Sequence, residues 1–236
     1  MKIGDLRVLV IGVGGLGCPA AWALAEAGVK ALGLMDSDQI DISNLHRQVL
    51  YGDDDIGKPK ADNAARFLSA RYPRLKAVPL RESMTAETMA KRLGDYDLVV
   101  DGLDRLEKKF FLNDHCVKEG KPFVHAGVVR LEGQVLPVLP GKTACLRCLL
   151  PKIPPPFAMP TCQEAGVLGS FSQAVGYLQA HEALRLAEGK GPFRLWKVDA
   201  QGRQARSIIP ARNPECPACG GGKIQEEAAV VCSPGA

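Results

Sequence analysis

One run of glycines and two pairs of cysteines stand at spacings that could do chemistry. Gly12-Val13-Gly14-Gly15-Leu16-Gly17 carries the G-x-G-x-x-G pattern of a dinucleotide-binding turn. Glycines there let the backbone turn tightly and approach phosphate, and a helix starting at that point offers unpaired N–H groups and the positive end of its dipole. Asp36 stands where a carboxylate can accept hydrogen bonds from ribose hydroxyls. By itself this motif favours a NAD-dependent dehydrogenase. Cys145-x-x-Cys148 and Cys216-x-x-Cys219 are the cysteine pairs. Nothing at the start of the chain reads as an export signal, so disulfides are disfavoured, and four thiolates suit a tetrahedral Zn²⁺. A redox-active pair is the alternative, but neither C-x-x-C opens a helix in a thioredoxin-like setting.

These residues need elements to position them. The apolar run from Leu6 to Ile11 predicts a buried strand leading straight into the glycines, and Pro19 to Gly28 predicts the helix behind them. Lys30 to Met35 is a second strand, ending at Asp36, so the chain opens as a Rossmann-like βαβ unit. Helices are expected over Lys60–Tyr72, from a Thr85 cap to Leu93, and over Leu106–Glu119. Strands are expected over Leu75–Leu80, Tyr96–Val100 and Phe123–Gly127. Alternation of this kind implies a mostly parallel sheet covered on both faces.

Beyond Gly127 the pattern changes. Val128 to Leu139 reads as a hairpin or meander, with Glu132-Gly133 between its extended runs. Pro151 to Pro160, with five prolines, reads as a crossover loop. Val167 to Glu188 predicts one long helix or two, and Phe193–Val198 and Ala205–Ile209 read as late antiparallel strands. Hydrophobic residues make up 46% of the 236-residue chain and charged residues 24%, an ordinary soluble balance. A net charge of +4 gives little support for nucleic-acid or membrane binding, and a cytoplasmic location is expected. Cys18 and Cys116 fall within predicted helices and read as core, as does His125 within a strand. Trp22 and Trp196 read as packing residues, His46 could line a site, and Cys232 has no assigned role.

The segment after Asp36 decides between readings of the glycine motif. It runs through Asp38, Asp41, Ser43-Asn44-Leu45-His46-Arg47-Gln48 and Gly57-Lys58-Pro59-Lys60, and Asp101-Gly102-Leu103-Asp104 follows later. The series G-x-G-G-L-G, D-x-D, S-N-L-x-R-Q, G-x-P-K and D-x-x-D resembles the ubiquitin-activating superfamily, nearest to the bacterial activators of sulfur-carrier proteins of the MoeB, ThiF and HesA type. The resemblance runs from about Leu6 to Gly220. It implies adenylation of a carboxylate by ATP and Mg²⁺, with Gly12, Gly14, Gly15, Gly17, Asp36, Asp38, Ser43, Asn44, Arg47, Gln48, Lys60, Asp104 and Arg105 around the nucleotide. Arg47 offers a planar fork for phosphate oxygens and Lys60 a mobile point charge, while Asp104 is the candidate Mg²⁺ ligand. Asp38 and Asp41 could each instead be loop-capping acids. The resemblance also implies structural zinc on the four cysteines. Cys162 has two readings: a nucleophile in acyl or persulfide transfer, or an unreactive loop thiol.

The fold class that follows is α/β: a Rossmann-like, mostly parallel sheet with helices on both faces, then C-terminal antiparallel strands and a zinc-binding four-cysteine clip. One adenylation domain is expected over 1–220, with a nucleotide-binding part at 6–127 and a carrier-binding and zinc part at 128–220, before a flexible tail at 221–236. The expected partner is a small β-grasp sulfur carrier ending in Gly-Gly, in a homodimer served by a separate sulfur donor. Three departures from the family pattern stand out. Only Met1 to Asp5 precede the first strand, so an N-terminal arginine usual in relatives is missing. Arg105 follows Asp104 where relatives carry asparagine, and is expected to replace part of the missing positive charge. Lys108 or Lys109 stands for a further arginine. Competing readings are an activator of a small carboxylate, such as the dehydratase that cyclises a carbamoyl-threonine of tRNA, and a non-catalytic carrier-binding adaptor.

Overall fold

The computed structural model describes residues 1–154 and 166–221. Cys162, Cys232, most of the proline-rich run and the tail lie outside the described residues. Eight strands form one sheet: β1 (Arg7–Ile11), β2 (Ala31–Met35), β3 (Lys76–Leu80), β4 (Leu98–Asp101), β5 (Phe123–Val129), β6 (Glu132–Val138), β7 (Leu195–Asp199) and β8 (Gln204–Ile208). Their spatial order is β3-β2-β1-β4-β5-β6-β7-β8. The first five are parallel, and β6, β7 and β8 extend the sheet antiparallel from β5.

The helices are α1 (Gly17–Glu26), α2 (Lys60–Arg71), α3 (Ala86–Leu93), α4 (Leu106–Lys118), the single turn α5 (Leu146–Leu149) and α6 (Gly169–Glu188). They divide between the faces because the strands alternate. Val8 and Val10 of β1 face one core with α1, α2 and α6, while Leu9 and Ile11 face the other with α3 and α4. Cys18 and Cys116 are buried on these two faces, as their helical positions predict. The long helix α6 is continuous and ends at Gly189, whose φ is 71°.

One turn lies elsewhere than the sequence suggests. Val129 pairs with Glu132, so the β5–β6 turn is Arg130-Leu131, and Gly133 is inside β6 opposite Val128. Gly133 is a packing residue: a Cβ there would lie 2.6 Å from Val175 Cγ2 of α6. Its missing side chain lets α6 rest on the sheet, which in sequence looks like a turn signal. The late strands begin and end slightly differently from expectation, with β7 starting at Leu195 rather than Phe193.

At the C-terminal end of β1 and β4 two loops touch backbone to backbone. Gly12 has φ 84°, and a Cβ built on Gly102 would sit 2.1 Å from the Gly12 carbonyl oxygen. No side chain fits on either residue at this crossing. Gly102→Ala is therefore expected to destabilise the protein by about 2 kcal/mol or more, with the denaturant m-value unchanged, as urea unfolding would measure.

Candidate nucleotide and metal sites

The glycine run joins β1 to α1 and closes against the rest of the site through Asp36. That carboxylate, just past β2, accepts hydrogen bonds from Val13 N at 2.8 Å and Asp38 N at 2.9 Å. Burial pushes the Asp36 carboxyl up, against the pull of Lys60. Val13 is held a second time, its carbonyl accepting from Tyr51 Oη at 2.9 Å, and Cys18 Sγ points to the same oxygen at 3.2 Å. Burial raises the Cys18 thiol to about 12, so it is an inert core group.

The Ser43–Gln48 segment packs beside this loop. Arg47 donates to Ser43 O at 3.1 Å and to Asn44 Oδ1 at 3.2 Å, and Gln48 Nε2 donates to Asn44 Oδ1 at 2.8 Å. Arg47 Cδ lies 3.3 Å from the position a Gly15 Cβ would take, which places the guanidinium stem on the glycine loop. Asn44 acts as the clamp that aims both neighbours. Gln48 is buried, and its Oε1 has no hydrogen-bond partner among the described residues. Asp41 accepts from Ser43 N at 2.8 Å and Ser43 Oγ at 2.5 Å, which holds its carboxyl below the usual range. It is a loop-capping acid. Asp38 pairs instead with Lys60 Nζ at 3.2 Å, and the Lys60 side chain is only 8% exposed. An ammonium whose counter-ion is an exposed, solvent-screened carboxylate can exchange that partner for a ligand phosphate. His46 lies with its Nε2 3.3 Å from Arg47 Nη1.

Asp104 and Arg105 follow Gly102 in the exposed β4–α4 loop, and Arg105 occupies the cap position of α4. The structure thus brings the glycine loop, Asp36, Asp38, Ser43, Asn44, Arg47, Gln48, Lys60 and the Asp104 loop to the C-terminal ends of β1, β2 and β4, where open α/β sheets hold ligands. The sequence singles out neither Tyr51 nor a role for Gly102, which stands there only as a neighbour of Asp104. The local D-x-x-D spacing draws attention to Asp104, and only the β1–β4 pairing shows what Gly102 touches. Of the two lysines offered for the family arginine, Lys109 points inward: its side chain is 6% exposed and its ammonium meets Asp101 at 3.0 Å. His125 is a satisfied core histidine, with Nδ1 at 2.8 Å from Asp101 Oδ2.

A single family model decides what this arrangement belongs to: it matches residues 1–218 and describes the ThiF family. The chain belongs to the ThiF family. Among curated relatives, the sulfur carrier protein adenylyltransferase of Thermus thermophilus is 43% identical over 236 residues, covering 96% of this chain and 86% of that one. The SAMP-activating enzyme E1 of Haloferax volcanii is 38% identical over 221 residues, covering 92% of this chain and 82% of that one. The crystal structure of E. coli MccB shares the fold at a TM-score of 0.82 with 21% identity, covering 96% of this chain and 68% of that one.

This ThiF-family chain also carries the four-cysteine cluster. The Sγ atoms of Cys145, Cys148, Cys216 and Cys219 all lie within 4.8 Å of one another. Three of the separations are 3.6 Å for Cys145–Cys216, 3.3 Å for Cys148–Cys219 and 4.0 Å for Cys145–Cys148. Tetrahedral zinc with Zn–S bonds of about 2.3 Å needs sulfur atoms about 3.8 Å apart, so the set fits that ion. Cys145 precedes only the single turn α5, seven residues after β6 ends, and its sulfur lies 3.6 Å from Cys216 of the second pair. Arg147 bonds Asp114 through Nε and Nη2, at 2.8 Å and 2.7 Å, and Asn113 Oδ1 accepts from Leu146 N at 2.9 Å. The first knuckle is thereby fastened to α4. Among the described residues, no helix is long and apolar enough to cross a membrane.

Burial pushes the His125 imidazole below its ordinary value, beyond what Asp101 restores, so it is neutral in the fold. Burial also raises the Asp101 carboxyl, but Lys109 and His125 together take it below the ordinary range. Both folded values therefore lie below the unfolded ones. Their stabilisation is complete above the unfolded value and is lost as pH falls, beginning for His125 below about pH 6.5. The melting temperature is expected to fall between about pH 7 and pH 5, and His125→Asn to flatten that dependence in a calorimetric pH series.

Proposed function

We propose that this protein is an ATP-dependent adenylyltransferase that activates the C-terminal glycine carboxylate of a small ubiquitin-like sulfur-carrier protein. The observation that carries this reading is Arg47 seated on the glycine loop beside Lys60, which pairs with Asp38 and through it reaches the Asp36 that holds Val13, an arrangement with no use in hydride transfer. It is supported by family membership and by the activities named for relatives that align over most of their length.

A carboxylate oxygen of the carrier attacks the α-phosphorus of ATP. The bond from that phosphorus to its bridging oxygen breaks, and the electron pair leaves with pyrophosphate. The products are acyl-adenylate and pyrophosphate. Arg47, already aimed by Asn44, meets phosphate oxygens with its planar fork, and Lys60 exchanges Asp38 for phosphate charge. Asp36 and Asp38 serve the ribose side, with Ser43 and Gln48 as neutral partners. Asp104 would hold Mg²⁺, which would supply charge neutralisation at the phosphates. Arg105, at the start of α4 beside Asp104, supplies part of the positive charge at the phosphates. The acyl-adenylate precedes thiocarboxylate formation, which draws on a separate sulfur donor. Cys162 is the candidate thiol for that transfer.

Residues 6–127 form the nucleotide-binding part and 128–220 the carrier-binding and zinc part, in a cytoplasmic homodimer. Zinc on Cys145, Cys148, Cys216 and Cys219 joins the two segments that follow the parallel strands and contributes folding energy there.

Incubation with ATP, Mg²⁺ and Gly-Gly-ending carriers should give a carrier heavier by one AMP in intact-mass spectrometry. Lys60→Ala and Asp104→Ala are each expected to lower that rate by about 100-fold or more with the fold retained. Arg105→Ala should lower it as well, and a wild-type rate in that variant removes Arg105 from the site. Should the wild type bind ATP yet modify no carrier, a small carboxylate is the acceptor or the chain is an adaptor. Separately, Cys216→Ser should release zinc and lower thermal stability. Unchanged metal content by elemental analysis would refute the four-cysteine site.

A further inference from the structure

Asp101, the last residue of β4, is 1% exposed and sits beneath the nucleotide site. Donors from four directions meet it. Oδ1 accepts from Lys109 Nζ of α4 at 3.0 Å and from Leu103 N at 3.1 Å. Oδ2 faces His125 Nδ1 of β5 at 2.8 Å, and the main-chain oxygen accepts from Gln179 Nε2 of α6 at 2.9 Å. Lys109 makes a second bond, to Ala126 O at 2.6 Å. His125 Nε2 lies 3.1 Å from Gln134 Nε2 of β6.

The protons can be assigned from this geometry. An ionised carboxylate only accepts and an amide nitrogen only donates, so His125 carries its proton on Nδ1 and accepts from Gln134 at Nε2. The cluster then holds one carboxylate, one ammonium and a neutral imidazole, with no net charge. An apolar set of the same volume would avoid the desolvation cost of the ions. What the ionised carboxylate adds is a strong, fixed acceptor for the Leu103 amide. That amide sits between Gly102, which is wedged against Gly12, and Asp104.

We propose that Lys109 and His125 are positioning residues for the adenylation site, acting through Asp101 to fix the Leu103 amide and so the backbone that presents Asp104. The inference rests on the role of Asp104 given above. His125 acts through its Nδ1 donor, which asparagine can reproduce and phenylalanine or glutamine cannot. Lys109 acts through its charge, which Lys109→Met removes at nearly constant volume.

The test combines two readouts. The first is the Mg²⁺ concentration giving half-maximal carrier-dependent ATP–pyrophosphate exchange, set against the KM for ATP at saturating Mg²⁺. The second, which needs neither carrier nor nucleotide, is hydrogen exchange at the Leu103 amide followed by NMR. In His125→Phe the half-saturating Mg²⁺ should rise about tenfold, as for other outer-sphere partners, with the ATP KM within about twofold of wild type. Leu103 amide exchange should accelerate by a similar factor, and His125→Asn should restore both. Lys109→Met should follow His125→Phe. If His125→Phe does not fold, His125→Gln takes its place with the same expected result. Unchanged Mg²⁺ dependence and Leu103 protection in a folded variant overturn the proposal, as does equal impairment of the Phe and Asn variants. Should the wild type show no exchange with any carrier, the adenylation reading fails by itself. Leu103 protection then decides the positioning claim alone.

Discussion

The contact on which the rest of the site depends is the crossing of two main chains at Gly12 and Gly102. It sets the loop after β1 against the loop after β4 at a separation no side chain permits. One of these loops borders Arg47 and is tied by Asp36 to the end of β2; the other leads to Asp104. Parallel neighbours β1 and β4 end together, so side chains distant in sequence reach one lip of the sheet. A site assembled from strand ends inherits the rigidity of the sheet, whereas a site on free loops must order itself on binding.

Rigidity of position is matched by economy of charge. Arg47 is aimed by an amide and two main-chain or ring partners, none of them a carboxylate. Among the described residues, its positive charge is thus held in place without a carboxylate partner. Lys60 is the contrasting case, with Asp38 as an exposed counter-ion that a phosphate can replace. Preorganised positive charge of this kind favours a state in which negative charge is building, because no reorganisation is needed at that moment.

The parallel half was legible in the sequence because each signal is local. Strand, glycine run, helix and acid follow one another from Leu6 to Asp36, and the Thr85 cap is formed as its sequence suggests. Both C-x-x-C pairs announced themselves by spacing. What stayed hidden depends on contacts between residues far apart. Gly133 reads as a turn until Val175 is seen above it, and Gln179 reads as an ordinary helical polar residue until it reaches Asp101 across the core. Asp101 itself was overshadowed by Asp104, since a buried acid and an exposed one look alike in a D-x-x-D run. Lys109 likewise shows its direction only through the packing of α4 on β5.

The four-cysteine clip joins Cys145 to Cys216 across 71 residues of chain. A polypeptide emerges from the ribosome at roughly 5–20 residues per second, so the second knuckle appears several seconds after the first. All five parallel strands and the β5–β6 hairpin precede the first knuckle in the chain. They can pair while Cys145 and Cys148 still wait as reduced thiols, exposed to oxidants and to stray metal. Only when Cys216 and Cys219 have emerged can the four sulfur atoms meet, so this contact forms after the strands it follows are already available to pair.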